Sequence, residues 1–212
     1  VTRRALDPIA DLLSALEAIV GRPATASQGR QFKQYLELFL RWNRVHRMTA
    51  LDSPSAIVDD LFIDSLLFLK LLPDHRPLAI VDIGAGAGIP GLPMQLADPG
   101  LRVSLVEAKR KRLSFLRTAC RELGLSEVAV LEGRAEQVVQ EDRTLVGAFD
   151  VAVSRAVDRI DRLSPTALPY LKPGGLLVVS APPKVQPSAG IELIRVQVPG
   201  HGEYRGFLTL RK

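Results

Sequence analysis

From Pro8 onward, apolar residues recur at spacings of three and four: Ile9, Leu12, Leu13, Leu16, Ile19 and Val20 form one stripe, the pattern of an amphipathic helix. GRQFKQYLELFLRWN repeats it with Phe32, Leu36, Phe39 and Leu40, and a third stretch does so with Ile57, Leu61, Leu66, Leu69 and Leu72. Asp7-Pro8 and Ser53-Pro54 each put a capping side chain before a proline, which opens a helix without wasting an amide. From residue 78 the period changes. Short runs rich in β-branched residues, LAIVDIG (78–84), LRVSLVE (101–107), VAVLEG (128–133), FDVAVSR (149–155) and GLLVVSA (175–181), alternate with segments of helix length. Two further runs, ELIRVQV (192–198) and FLTLRK (207–212), are joined by a short Pro-Gly-rich stretch.

Near-continuous apolar strands separated by helices predict an α/β fold with a doubly wound, mostly parallel sheet covered on both faces. The last two runs predict an antiparallel hairpin at the sheet edge, which makes seven strands. The expected organisation is an N-terminal helical extension over 1–75 and a sheet domain over 76–212.

The chain has 212 residues, enough for one sizeable core. Its single cysteine, Cys120, rules out an internal disulfide framework, and its place among the apolar positions of a helix predicts a core role. Three histidines scattered at 46, 75 and 201 give no metal site. The greasiest run, LFIDSLLFLKLL, is interrupted by Asp64 and Lys70, so no membrane span is expected, and a cytoplasmic location follows as the simplest expectation. Lys and Arg outnumber Asp and Glu by 28 to 23, and the isoelectric point is near 9.7, which suits a polyanionic partner. Part of the surplus is concentrated in LRVSLVEAKRKRLSFLRTACREL.

VDIGAGAGIPG (81–91) closes the first strand, the position where open α/β sheets bind ligands. Glycines there let the backbone turn tightly and approach a ligand. A dinucleotide fingerprint would place its third glycine at 89, where the chain has Ile89. The spacing is instead G-x-G-x-G through Gly84, Gly86 and Gly88, preceded by Asp82. That arrangement points to S-adenosylmethionine, whose amino-acid end carries an ammonium that Asp82 can serve directly or through water. Asp82 can equally order the loop by accepting amide hydrogen bonds, and the two roles are compatible. Glu107 ends the second strand, where an acid can take both ribose hydroxyls; the alternative is a solvated strand-end carboxylate. Ala135 and Glu136, after the third strand, fall where an adenine would lie.

WNRVHRMTAL (42–51), DSLLFL (64–69), VDIGAGAGIPGLP (81–93), LVEAKRKRLSFLR (105–117), GRAE (133–136) and SRAVDRIDRLSPTALPYLKPGG (154–175) follow one another in a recognisable order. Together they resemble the ribosomal RNA small-subunit methyltransferase G family, also called glucose-inhibited division protein B, over roughly residues 30–180. The resemblance implies a Rossmann-like class I methyltransferase fold and methylation of N7 of one guanine in 16S ribosomal RNA, presented as RNA or as the small ribosomal subunit. A monomer is expected. It also implies that Gly84 and Ile89 lie in the cofactor loop, Ala135 and Glu136 beside the adenine, and Arg155 near both cofactor and substrate, which makes Arg155 the catalytic candidate. Arg155 has a structural alternative, an ion pair with Asp150 or Asp158.

An N7 methylation needs no general base, because the guanine lone pair attacks without prior loss of a proton. The chain agrees: SRAV stands where amine methyltransferases carry an Asp/Asn-Pro-Pro-aromatic motif. It departs from the family pattern at Arg47-Met48, where asparagine-leucine is usual, at Leu61, where histidine is usual, and in PPKVQPSAG (182–190), which replaces a longer helical connection. These departures leave room for a silent cofactor- and RNA-binding protein, or for a methyltransferase with another RNA or a small-molecule substrate.

Overall fold

The computed structural model describes residues 7–155 and 160–212. Strands β1 (Leu78–Ile83), β2 (Leu101–Glu107), β3 (Ala129–Glu132), β4 (Phe149–Ser154) and β5 (Leu171–Ala181) are parallel, and β6 (Glu192–Gln197) and β7 (Tyr204–Arg211) form the antiparallel hairpin. The seven lie in one sheet in the order β3-β2-β1-β4-β5-β7-β6, with β7 antiparallel to β5. The expected strands are all present. β5 and β7 begin earlier than their apolar runs, at 171 and 204 instead of 175 and 207, because backbone pairing extends past the hydrophobic stretch.

Helices α1 (Pro8–Val20), α2 (Ala26–His46), α5 (Gly91–Ala97) and α6 (Arg110–Glu122) cover one face; α7 (Ala135–Glu141) and α8 (Ile160–Ala167) cover the other. The period of two divides each central strand between them. Leu78 and Ile80 pack with Leu12, Phe32 and Phe115, whereas Val81 and Ile83 pack with Val138, Ile160 and Tyr170. Both proline-led caps form as the sequence predicts. Asp7 accepts from the amide of Ile9 at 3.0 Å and Ser53 from that of Ala56 at 3.2 Å. Among the described residues, no helix is long and apolar enough to cross a membrane.

The third predicted helix is not uniform. It runs as α3 (Pro54–Ile57), a π-helical turn (Val58–Ile63), α4 (Asp64–Leu66) and a 3₁₀ turn (Leu67–Leu71). π-Turns inside helices recur at functional sites. Phe62, on this turn, stacks on Tyr35 of α2 with ring centres 4.7 Å apart and planes 2° from parallel. Phe115 of α6 meets Phe39 at 6.0 Å and Trp42 at 5.5 Å, both edge-on. This aromatic block ties the N-terminal helices to the sheet. Phe115→Ala is expected to cost about 3–5 kcal/mol through lost contacts and the cavity left behind. Urea unfolding should show a lower midpoint, and an unchanged midpoint would contradict the packing role.

Candidate active site

The strand order reverses between β1 and β4, and the carboxyl ends of the strands at such a switch point are where open α/β sheets hold ligands. The loop from Gly84 to Pro90 lies there. Gly84, Gly86 and Gly88 have φ of +73°, +61° and +80°, a region that side chains rarely occupy. Their surroundings divide them by role. An added Cβ on Gly84 would meet nothing within 4 Å, and on Gly86 nothing closer than 3.8 Å, so both face open space. On Gly88 it would come within 2.4 Å of Leu92, and on Gly91 within 2.6 Å of Leu105 and 2.9 Å of Asp82. The first pair therefore leaves room for a ligand, and the second lets α5 pack against β1 and β2. Gly91 thus supplies the close helix packing that a glycine at position 89 would give a dinucleotide fold. Ile89 is half-buried and packs against the core.

Asp82 is wholly buried at the end of β1. Its Oδ2 accepts from the amide of Gly91 at 2.9 Å, while Oδ1 is buried without a hydrogen-bond partner among the described residues. Burial pushes its carboxyl up to about 7; the Gly91 amide pulls the other way and the charge of Glu107 adds to the rise. The loop-ordering role foreseen for Asp82 is therefore present, and Oδ1 is left unpartnered among the described residues.

Glu107 is also buried, at 5% exposure, in contrast to the solvated carboxylate that was its alternative. Its Oε1 accepts from the amides of Ala108 at 2.8 Å and Lys109 at 2.7 Å. Its Oε2 accepts from the amide of Gly86 at 2.9 Å and lies 3.5 Å from the guanidinium of Arg112. The carbonyl of Glu107 accepts from Gly133, and that of Val106 from both Gly84 and Ala85. The end of β2 thus fixes the loops after β1, β2 and β3 together.

Beyond β3, Gly133 (φ +142°) leads into α7. The carbonyl of Ala135 accepts from the Tyr170 hydroxyl at 2.7 Å. Glu136 is exposed on the first turn and accepts from Thr166 of α8 at 2.8 Å. Its own backbone amide and Thr166 hold its carboxyl below the usual range.

Arg155 follows β4, but its partner is not Asp150. Asp150 accepts from Lys172 at 2.7 Å and from the amide of Ala79 at 2.9 Å, back near the amino ends of the strands. Asp158 lies outside the described residues. The Arg155 guanidinium donates instead to the carbonyl oxygens of Asp60 and Leu61 on the π-turn and meets Asp64 at 3.4 Å. Asp64 in turn accepts from Arg205 of β7 at 2.9 Å. The Leu61 carbonyl is shared, since it also accepts from the amide of Asp64 and the hydroxyl of Ser65.

The sequence model of the family rRNA small subunit methyltransferase G matches residues 28–181 of the chain. The protein of that name from Streptococcus pyogenes is 38% identical over 159 residues, covering 74% of this chain and 67% of the relative. The Lactococcus lactis relative is 39% identical over 153 residues, 71% of this chain and 63% of its own. The chain belongs to the rRNA small subunit methyltransferase G family. It spans about two thirds of those relatives' length. Solved structures agree on the fold: a predicted O-methyltransferase from Agrobacterium tumefaciens superposes with a TM-score of 0.57 at 21% identity, covering 70% of this chain and 80% of that one. A SAM-dependent methyltransferase from Aquifex aeolicus gives 0.56 at 17% identity, covering 78% and 96%.

In this member of the methyltransferase G family, the departures from the pattern acquire places. Arg47 caps α2 with φ +48°, the single positive value outside glycine among the described residues. Asparagine adopts that conformation more readily than arginine, for which it costs about 1 kcal/mol or more. The turn persists because Asn43 donates to the carbonyl of Leu51 at 2.8 Å and accepts from the amide of Thr49 at 2.9 Å. Leu61 contributes its carbonyl to Arg155, a role that any residue could fill. Sequence reasoning missed Tyr35, whose hydroxyl donates to the carbonyl of Ala87 in the glycine loop at 2.6 Å, and it assigned no role to Asp64 or Arg205. A polar-tipped residue at a helical core position was the signal for Tyr35; Asp64 stood inside the DSLLFL motif.

The raised carboxyl of Asp82 makes a prediction about cofactor-free stability. Its folded value lies above the unfolded one, so its contribution is fully present below pH 4 and is lost as pH rises to about 7. Denaturant melts of wild type and Asp82→Asn across pH 4 to 8 should show a difference that shifts by roughly 4 kcal/mol in favour of the variant with rising pH. A pH-independent difference would show that the carboxyl is not perturbed.

Proposed function

We propose that this member of the methyltransferase G family transfers the methyl group of S-adenosylmethionine to N7 of a guanine in 16S ribosomal RNA. The observation that carries the reading is the pairing of a G-x-G-x-G loop opened toward the crevice with a buried Asp82 that keeps one unpartnered oxygen. Such an oxygen fits the ammonium of an amino acid, directly or through one water. The open space at Gly84 and Gly86 gives room for the amino-acid end of the cofactor, with Ile89 closing the loop against the core. Glu107 suits the ribose hydroxyls: its Oε2 can exchange the long contact to Arg112 for a hydroxyl while keeping the amide of Gly86. Ala135 and Glu136 border the place for the adenine.

When bound, S-adenosylmethionine supplies a methyl group on a sulfonium, an electrophile that N7 takes by in-line displacement while the carbon–sulfur bond breaks. No proton has to leave N7, so the protein's work is placement and exclusion of water. Arg155 is the candidate for placing the guanine. Its guanidinium is held by the π-turn carbonyls, and its charge is offset by Asp64, an arrangement that spares the product guanine, which becomes cationic, a bare neighbouring cation. An arginine so held can donate to guanine O6 and leave N7 uncovered.

The test is nucleoside mass spectrometry of 16S RNA incubated with protein and labelled S-adenosylmethionine, the RNA coming from cells that lack the gene. Label should appear as N7-methylguanosine at one position, and Arg155→Ala should lower turnover at least 100-fold with cofactor affinity within a few-fold of wild type. Cofactor binding with no transfer to 16S RNA or to 30S subunits would overturn the proposed activity in favour of a silent binding protein.

A further inference from the structure

Against α2's end and the first turn of α6 lies a concave site of ≈ 300 Å³ lined by His46, Arg47, Met48 and the run Lys109–Arg112. No acidic residue lines it. Arg47 also borders a second cavity of ≈ 570 Å³, with Arg44, Asn43 and Thr49, where Asp52 is the one acid in the lining. Of these cations, Arg112 pairs with Glu107 at 3.5 Å, whereas Arg44, Arg47, Lys109, Arg110 and Lys111 make no ion pair among the described residues.

Folding does not account for this arrangement. A helix amino end favours negative charge, yet the first turn of α6 carries Arg110, Lys111 and Arg112 behind the cap Lys109, with no side-chain cap bond. Arg47 is held in a left-handed conformation that suits asparagine better. Local rules broken at two neighbouring places, on separate elements that converge on one cavity, mark a functional surface. The cavity also adjoins the methyl-transfer crevice: Arg112 lines it and reaches the same Glu107 oxygen that binds the glycine loop. Beside it, the ring of His46 packs against Trp42 with centres 5.0 Å apart and planes tilted by 44°.

We infer that this site holds backbone phosphates of the RNA strand that carries the target guanine, and that Arg47 bridges the track from the first cavity to the second. The inference rests on the RNA methyltransferase reading and assigns the surface that reading leaves open. The cations at the end of α2 and the start of α6 neutralise the phosphates, and their proximity to Glu107 places the strand alongside the cofactor cleft. Sequence discrimination is left to the crevice itself.

The double variant Arg47→Asn/Lys111→Ala tests it, with binding to 16S ribosomal RNA measured from 0.05 to 0.5 M salt. Each lost phosphate contact should flatten the slope of log affinity against log salt by about 0.7, so the pair should weaken binding roughly tenfold at 0.15 M. A structural role for Arg47 predicts the opposite of what its backbone implies, so thermal melting of Arg47→Asn alone supplies a second readout: the midpoint should hold or rise while RNA affinity falls. Affinity for S-adenosylmethionine, measured by calorimetry, should stay within twofold. A wild-type slope and affinity in the double variant would overturn the phosphate track alone. Failure of the wild-type protein to bind 16S RNA at all would overturn the track together with the reading on which it stands.

Discussion

One buried carboxylate governs the ligand end of this protein. Glu107 closes β2, and its two oxygens receive the amides of Gly86, Ala108 and Lys109, while its carbonyl receives that of Gly133. The loops after β1, β2 and β3 therefore take their positions from a single residue. Charge-assisted bonds of this kind contribute about 1.5–3 kcal/mol each, and burial of an acid without them would be untenable. The same residue faces the proposed ribose and touches Arg112, so cofactor cleft and basic surface share one anchor. The cost of a second buried acid nearby appears in Asp82, whose carboxyl is pushed upward partly by Glu107.

The N-terminal helices complete the frame from the other side. Tyr35 reaches from α2 to the carbonyl of Ala87, and its ring belongs to the aromatic block with Phe62 and Phe115. The glycine loop is thus held from below by β2 and from above by α2. Tyr35's hydroxyl stays protonated, since burial raises it well above its ordinary range, as a permanent donor requires. The π-turn beside Phe62 gives its carbonyls to Arg155, and Asp64 next to it joins Arg155 to Arg205. Elements distant in sequence, α2 to α4, β4 and β7, are in this way drawn to one rim of the crevice.

What the sequence revealed and what it hid follow from the range of the forces involved. Strands were legible because a sheet buried on both faces leaves continuous apolar runs, and helix starts because Asp7 and Ser53 cap locally. The glycine loop was legible because its backbone conformations forbid side chains. The break in the third helix was not, since apolar spacings of three and four serve α, π and 3₁₀ turns alike over so short a stretch. Nor was the partner of Arg155: Asp150 is near in sequence but sits toward the opposite end of the strands, while Asp64 is 91 residues away. Arg205 and Asp64 are separated by 141 residues, and nothing local announces their pairing. The placement of Gly91 shows the middle case, a residue visible in the motif whose packing role emerged only from its distances to Leu105 and Asp82.

The claim that the Glu107 carboxylate organises the loops after β1 and β2 is tested most directly by amide hydrogen exchange on cofactor-free Glu107→Ala. The account predicts that the amides of Gly86, Ala108 and Lys109 exchange at least tenfold faster than in wild type, together, while those of β4 and β5 keep their protection. Unchanged protection at Gly86 and Lys109 in a variant that remains folded would contradict it.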